Sequence, residues 1–405
     1  MTLEVGVLGY RFMGKAHANA LSRLSMFFPD APDVERSVLV GRDEDALSDA
    51  AEQFGFESIA TDWEAVVDDV DVFYNLGPNH VHAEPSIAAL EAGTPVFCEK
   101  PLAPTLAEAE RMADAAAEAG VPNGTAFNYR FVPAIQHAKG LLEDGELGEV
   151  RHVRGRYLQD WLVDPEAPWS WRNDAEMAGS GALGDLGAHT VDLLRFLVGD
   201  DDLAGEMERV SGHLQTFVDE RPVESETPAE SRGNEDGEAV EHDEMRSVTV
   251  DDAYSAQVEF ENGAMGTLEA SRFATGHKND HTIEIHGSKG SLRFSLERLN
   301  ELEVLRADEN RGYETVLVTD ESDPYVDHWW PPGHVLGWEH TFVHENYEFL
   351  SAVASESSET PRNEGGETAG AGDTFEPSFA DGLAAQRVLE AIEASDEKRE
   401  WVSIS

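Results

Sequence analysis

Strand and helix alternate through residues 1–127, and that alternation leaves few folds open. Leu3 to Leu8 reads as a buried strand, followed by a glycine turn and a helix from about Met13 to Leu24. A second strand at Ser37 to Val40 leads into a helix at Glu44 to Phe54. Further strands are expected at Val70 to Leu76, Thr94 to Cys98 and Gly124 to Asn128, with helices at His82 to Ala92 and Leu106 to Ala119 between them. Short apolar strands separated by helices need crossover connections. The strands must therefore run parallel, with helices on both faces of the sheet.

Beyond residue 127 the pattern changes. Helices at Pro133 to Leu142 and Ala182 to Leu197 precede runs that alternate with period two: Ala253 to Phe260, Ala264 to Ala270, His281 to His286 and Ser291 to Phe294. Glu261-Asn262-Gly263 is a hairpin signal between the first two. The expected fold is an α/β domain over 1–127 and an α+β domain over 128–405 with a largely antiparallel open sheet. The last strong helix is read at Phe379 to Ala394. With 405 residues, 40% of them hydrophobic, the chain has material for two cores. Two stretches lack that material. Asp219 to Ser247 carries 11 acidic against 3 basic residues, and Ser355 to Glu376 is rich in Ser, Glu, Gly and Thr. Both read as solvated loops.

The charge excludes whole classes of partner. Twenty-nine basic residues against 81 acidic ones give −52, and only six of the basic residues are lysines. Such a surface repels phosphate backbones and anionic lipid, so no nucleic-acid or membrane partner is expected. The acids are spread along the chain, as expected of a protein from a high-salt cytoplasm, where counter-ions screen self-repulsion. A single cysteine, Cys98, rules out a disulfide framework. The histidines have no metal-ligand spacing, and no metal is expected. The first residues run into an apolar strand without a basic leader, and no apolar run reaches bilayer length, so a cytoplasmic location is expected.

The first turn carries the clearest chemistry. In Gly9-Tyr10-Arg11-Phe12-Met13-Gly14, Gly9 suits the tight turn after the strand and Gly14 the close packing of helix on strand. A pyrophosphate would rest on the helix amino terminus. Arg11 stands where a middle glycine is usual. At the end of the second strand, where an acid commonly holds the adenosine ribose, the chain has Gly41-Arg42-Asp43. Arg42 suits a 2′-phosphate and favours NADP, while Asp43 keeps NAD open.

Two further clusters narrow the reading. Lys100, in Cys98-Glu99-Lys100-Pro101, follows an apolar strand at the carboxyl edge of the sheet. Gly184-Asp185-Leu186-Gly187-Ala188-His189 places a carboxylate and an imidazole four residues apart, hence on one helix face, with Asp192 beyond. With the opening glycine turn, Gly77-Pro78-Asn79-His80-Val81-His82, Phe127-Asn128-Tyr129-Arg130 and Pro377-Ser378-Phe379-Ala380-Asp381-Gly382, these motifs resemble the glucose-fructose oxidoreductase/inositol dehydrogenase (Gfo/Idh/MocA) family over nearly the whole chain. Tyr157-Leu158-Gln159-Asp160-Trp161 and Ser170-Trp171-Arg172 are similar to its levoglucosan dehydrogenase branch.

The resemblance implies a Rossmann domain, a second domain whose sheet forms a homo-oligomer, and hydride exchange between NAD or NADP and a hydroxyl of a sugar, anhydrosugar or polyol. It implies a catalytic set of Lys100, Asp185 and His189. In these roles His189 accepts the hydroxyl proton, Asp185 orients the ring or binds a neighbouring hydroxyl, and Lys100 bonds the reacting oxygen. Gly9, Arg11, Phe12, Met13, Gly14, Arg42, Asn75, Pro78, Asn79, His82, Glu99 and Lys100 are expected at the cofactor. Asn128, Arg130, Gln159, Asp160, Trp161 and Arg172, with Asp185 and His189, are expected at the substrate. A keto-sugar reductase, a redox enzyme that retains its cofactor, and a non-catalytic dinucleotide sensor are the alternatives. A sensor has no need of a proton acceptor.

Overall fold

The computed structural model describes residues 1–223, 244–309, 311–358 and 375–404. Strands β1 (Thr2–Leu8), β2 (Asp33–Val40), β3 (Ser58–Ala60), β4 (Val72–Asn75), β5 (Val96–Cys98) and β6 (Asn123–Thr125) form one sheet in the order 3-2-1-4-5-6. Every pairing is parallel. Helices α1 (Phe12–Phe27), α2 (Glu44–Phe54), α3 (Ala83–Ala92) and α4 (Leu106–Ala119) make the crossovers. Asp43 and Thr105 start α2 and α4 by accepting the N–H groups of Ala46 and Glu108. The strand order reverses between β1 and β4, so a crevice opens at their carboxyl ends.

The second layer begins with α5 (Pro133–Glu143), β7 (Val150–Leu158), the short α6 (Ala175–Ala178) and α7 (Ala188–Val198). It continues through β8 (Met207–Gln215), β9 (Glu220–Pro222), β10 (Met245–Ser247), β11 (Ala253–Phe260), β12 (Met265–Ser271), β13 (Asp280–Gly287), β14 (Gly290–Ser295), β15 (Glu301–Arg306) and β16 (Glu314–Leu317). Helices α8 (Trp338–Ser358) and α9 (Phe379–Lys398) and strand β17 (Val402–Ser403) complete the chain. The large sheet has nine strands in the order 16-15-14-13-7-12-11-8-17. All of its pairings are antiparallel except β7 with β12. Apolar side chains of α5, α7 and α9 cover one face and join its core. Residues such as Arg154, Arg156, Ser255, Gln257, Thr267 and Glu269 leave the other face polar and exposed. No helix among the described residues is long and apolar enough to cross a membrane.

The expected Rossmann and open-sheet architecture is present, with differences in detail. Asn128 was expected at the end of a strand, but β6 stops at Thr125 and Asn128–Phe131 form one tight helical turn. Of the two acidic stretches, 224–243 and 359–374 lie outside the described residues. Their described margins are ordered: β9 pairs with β10, and residues 355–358 extend α8. Strand β7 and helix α8 escape a reading by apolar periodicity, for reasons visible in their residues. In β7 the inward positions include Gly155. On α8 the buried face holds His340, His344, Glu345 and Asn346 among its apolar residues. Although α8 follows the second sheet in sequence, Phe342, Val343, Phe349, Leu350 and Val353 belong to the first core.

Candidate active site

The cofactor cradle is built by close backbone contact. Gly9 has φ +110°, and a Cβ on it would lie 2.5 Å from the Leu76 oxygen; one on Gly14 would lie 2.2 Å from the Gly9 oxygen. Only glycine fits either place. Helix α1 starts beside this turn with no side-chain cap and no acidic residue in its first turn, so its N–H groups and dipole are free for an anion. Arg11 is the residue before the helix, and its guanidinium lies 5.3 Å from the Tyr10 ring. Phe12, 65% exposed, stacks on Trp338 at 5.6 Å, and Met13 comes next on α1. The geometry suits a dinucleotide pyrophosphate at α1. Arg42 is exposed past the end of β2. The Tyr10 ring occupies the space over Gly41, and Asp43 turns its Oδ1 to the start of α2.

Several residues expected at the cofactor send their side chains into the scaffold. Asn75 is fully buried, and its amide donates to Val81 O, His82 O and Ser86 Oγ at 2.9–3.1 Å. His82 places its ring nitrogens 3.0 Å from Pro101 O and from Gly77 O, tying the turn before Pro78 to the loop of Lys100. Asn79 donates to Ala178 O at 2.8 Å and joins the two layers. Glu99 accepts the Lys100 N–H at 3.1 Å and turns its other oxygen toward His17 on α1, 3.4 Å away.

Lys100 and Asp185 meet across the layers. The Lys100 ammonium donates to the Asp185 main-chain oxygen at 2.7 Å and to its Oδ1 at 3.1 Å. Burial pushes the Asp185 carboxyl up, but Lys100, Arg172 and Arg272 outweigh it and hold the group below the usual carboxylate range. His189 is 7% exposed, and its Nδ1 has no hydrogen-bond partner among the described residues. Burial, then the charges of Lys100 and His281, take this imidazole well below its ordinary pKa. It is therefore neutral at pH 7. The expected pairing of Asp185 with His189 is not formed. Leu183–Gly187 make a wide π-turn closed by the Ala188 N–H on Leu183 O, which shifts the phase between the two residues and gives the carboxylate to Lys100.

A directional polar chain lies beside His189, and of its members sequence reasoning gave a role only to Gln159. Trp338 Nε1 donates to the Tyr129 hydroxyl at 3.4 Å, which bonds the Tyr157 hydroxyl at 2.8 Å. Tyr157 donates to Asn279 Oδ1 at 2.7 Å, and Gln159 Nε2 donates to the same oxygen at 2.7 Å. The Tyr129 and Tyr157 rings lie 4.6 and 6.0 Å from the His189 ring. His281 stacks on Tyr157 at 4.6 Å. Tyr157 shares the inward face of β7 with Val153 and Gly155, too broken an apolar pattern to mark it; nothing local marks Asn279.

The substrate candidates divide. Gln159 joins this chain, and Arg172 acts on Asp185 while its guanidinium sits 4.4 Å from the Trp171 ring. Trp161 is 46% exposed, with the Arg272 guanidinium 5.9 Å from its ring. Asp160 instead pairs with Lys278 at 2.8 Å and accepts the Gly276 N–H. Asn128 donates to Thr341 Oγ1 at 2.8 Å. Arg130 is buried between Asp192 and Asp381, at 2.6 and 3.2 Å. These last three are committed to holding loops and helices together.

The two-part fold agrees with comparison to known proteins. Residues 3–127 match the oxidoreductase family with an NAD-binding Rossmann fold, and residues 135–293 match the GFO/IDH/MocA C-terminal domain. The chain belongs to the GFO/IDH/MocA oxidoreductase family. It is an NAD-binding oxidoreductase. It is 39% identical to levoglucosan dehydrogenase of Pseudarthrobacter phenanthrenivorans over 99% of this chain and 98% of that one. An oxidoreductase domain protein from Kribbella flavida has a similar structure, with a TM-score of 0.88 and 46% identity over all of both chains. A levoglucosan dehydrogenase in complex with NADH and levoglucosan matches with a TM-score of 0.87 and 38% identity, again over all of both chains.

Proposed function

We propose that this enzyme oxidises a ring hydroxyl of an anhydrosugar or closely related sugar, with NAD(P) as the hydride acceptor. The observation that carries this reading is the Lys100–Asp185 pair, held by two hydrogen bonds in one crevice with a buried, neutral His189. The likeness to levoglucosan dehydrogenase over the full length supports the substrate class.

The cradle residues Gly9, Arg11, Phe12, Met13 and Gly14, with Arg42 at the ribose end, are the groups that would hold the dinucleotide. When bound, it supplies the hydride acceptor. The remaining work falls to side chains of the chain itself. His189, neutral at pH 7, takes the hydroxyl proton. The Lys100 ammonium donates to the reacting oxygen and stabilises the negative charge that develops there. Asp185, kept ionised by three cations, holds the Lys100 side chain in place and presents its second oxygen to a neighbouring hydroxyl. Gln159, Arg172 and Trp161 form the outer contacts.

Arg42 favours NADP, because it stands exposed at the end of β2 while Asp43 beside it turns its Oδ1 to the Ala46 N–H. The bare polar face of the nine-strand sheet supports a homo-oligomer, and the −52 charge supports a salt-loving cytoplasmic protein. The test is a spectrophotometric screen for reduced cofactor in molar KCl, with anhydrosugars, aldoses and inositols against both NAD and NADP. Reduction with an anhydrosugar but not with inositols is expected. No reduction with any polyol, despite tight binding of reduced cofactor, would leave the sensor reading in its place.

A further inference from the structure

One buried residue outside the catalytic set holds the start of the helical run that carries it. Asp251 lies in the turn before β11 and is 5% exposed. Its Oδ1 accepts the Gly181 N–H at 2.6 Å and its Oδ2 the Leu183 N–H at 2.9 Å. Its main-chain oxygen accepts the Ala182 N–H at 3.1 Å. Three successive N–H groups thus end on a single residue. The approach is close enough that a Cβ on Gly181 would lie 1.7 Å from the Asp251 oxygen. That oxygen also accepts Arg272 Nη2 at 2.9 Å, and Arg272 Nη1 reaches the Arg172 oxygen at 3.5 Å. Arg272 is fully buried and is one of the cations that depress the Asp185 carboxyl.

The clamp acts on the part of the helix whose phase matters. Asp185 lies inside the π-turn Leu183–Gly187, and His189 lies just beyond it on α7. A π-turn holds one more residue than a regular turn. Relaxing it would rotate the residues on its amino side relative to α7 by about 100°. Asp185 would then swing away from Lys100 while His189 stayed packed. Apolar residues of α7 hold it in the core, and Leu183 and Leu186 of the π-turn pack there too. The clamp at residues 181–183 adds the hydrogen bonds that fix the amino end of the turn.

We propose that Asp251, backed by Arg272, is the positioning residue that keeps Asp185 in register with Lys100 and His189. The proposal rests on the dehydrogenase reading of the site. The test compares Asp251→Asn with Ser378→Ala, which removes the side-chain cap of α9 and touches no site residue. Melting temperature, NADH affinity by fluorescence titration, turnover of the sugar found in the screen and amide exchange at residues 181–189 are measured for each. Asp251→Asn is expected to lower kcat roughly ten- to a hundredfold, as misplacement by an ångström does. NADH affinity should change less than about twofold, and amides 181–187 should lose protection. Ser378→Ala should lower the melting temperature with kcat nearly unchanged. Should Asp251→Asn fail to fold, Arg272→Lys keeps the charge, loses the fork, and is expected to lower kcat with NADH affinity intact. Normal turnover in a folded variant, or a parallel loss of turnover and NADH binding, would overturn the proposal. If the wild type itself reduces no cofactor, the dehydrogenase reading fails, and the exchange data alone decide whether the clamp exists.

Discussion

In the proposed mechanism Lys100 and His189 act on one oxygen, so replacing either should slow the same chemical step. Lys100→Met removes the donor to the developing charge, and His189→Ala removes the proton acceptor. Each is expected to lower kcat by about two orders of magnitude or more with cofactor affinity largely intact. Near-normal turnover in either variant would remove that residue from the mechanism. Because burial takes His189 well below the ordinary imidazole value of about 6.5, the acid limb of kcat/KM should lie below that pH. A second buried group makes an opposite demand on pH. Glu345 on α8 is fully buried, with no hydrogen-bond partner for either oxygen among the described residues. Burial first, then Glu99 and Asp192, raise its pKa well above the ordinary value, so the folded protein keeps this carboxyl protonated. The unfolded chain loses that proton above about pH 4.3. Stability from this group is therefore complete below that pH and falls by about 1.4 kcal/mol per pH unit until the folded value is reached. Glu345→Gln should remove this slope. Denaturant unfolding at fixed salt should show the variant gaining on the wild type as the pH rises above about 5, and a gap independent of pH would refute the assignment.

Elements explain why some of this was legible in the sequence. Lys100, Asp185 and His189 stand in short motifs, so residue type and spacing singled them out and the family resemblance gave them their expected roles. The Tyr129–Tyr157–Asn279 chain joins residues 28 and 122 apart, and Trp338 reaches Tyr129 across 209 residues. Only the closed sheet brings these together. Helix α8 was missed because its inward face mixes His344, Glu345 and Asn346 with Phe342 and Phe349, which breaks the apolar stripe that marks a helix. The phase shift at Leu183–Gly187 was equally hidden, since a π-turn has no sequence period of its own. The end of β2 was legible as far as Arg42, whose role is open to measurement. With Asp43 turned to cap α2, Arg42→Ala should weaken NADP by roughly ten- to a hundredfold, the value of a charge-assisted bond of about 1.5–3 kcal/mol, and leave NAD nearly unchanged. If the ratio of catalytic efficiencies with the two cofactors does not move, Arg42 is a solvated strand end.

At the scale of the whole molecule, charge opposes folding. Eighty-one acidic residues face 29 basic ones, and many of those cations are already engaged, as in Arg130 with Asp192, Arg195 with Glu206 and Lys278 with Asp160. Carboxylates outnumber the cations that could neutralise them and repel one another across the surface. Raising salt from 0.1 M to 1 M shortens the screening length from about 10 Å to about 3 Å, below the spacing of most surface charges. The repulsion should then fade, while buried pairs such as Arg130–Asp192 are little affected. The melting temperature is therefore expected to rise steeply between dilute buffer and molar KCl, with turnover rising alongside it. Salt also strengthens apolar burial, so sucrose at matched osmolality serves as the control, since it acts on burial without screening charge. KCl should stabilise several times more than sucrose does. Equal effects would attribute the gain to burial, and a melting temperature unchanged by KCl would show that the acidic surface is folded without screening.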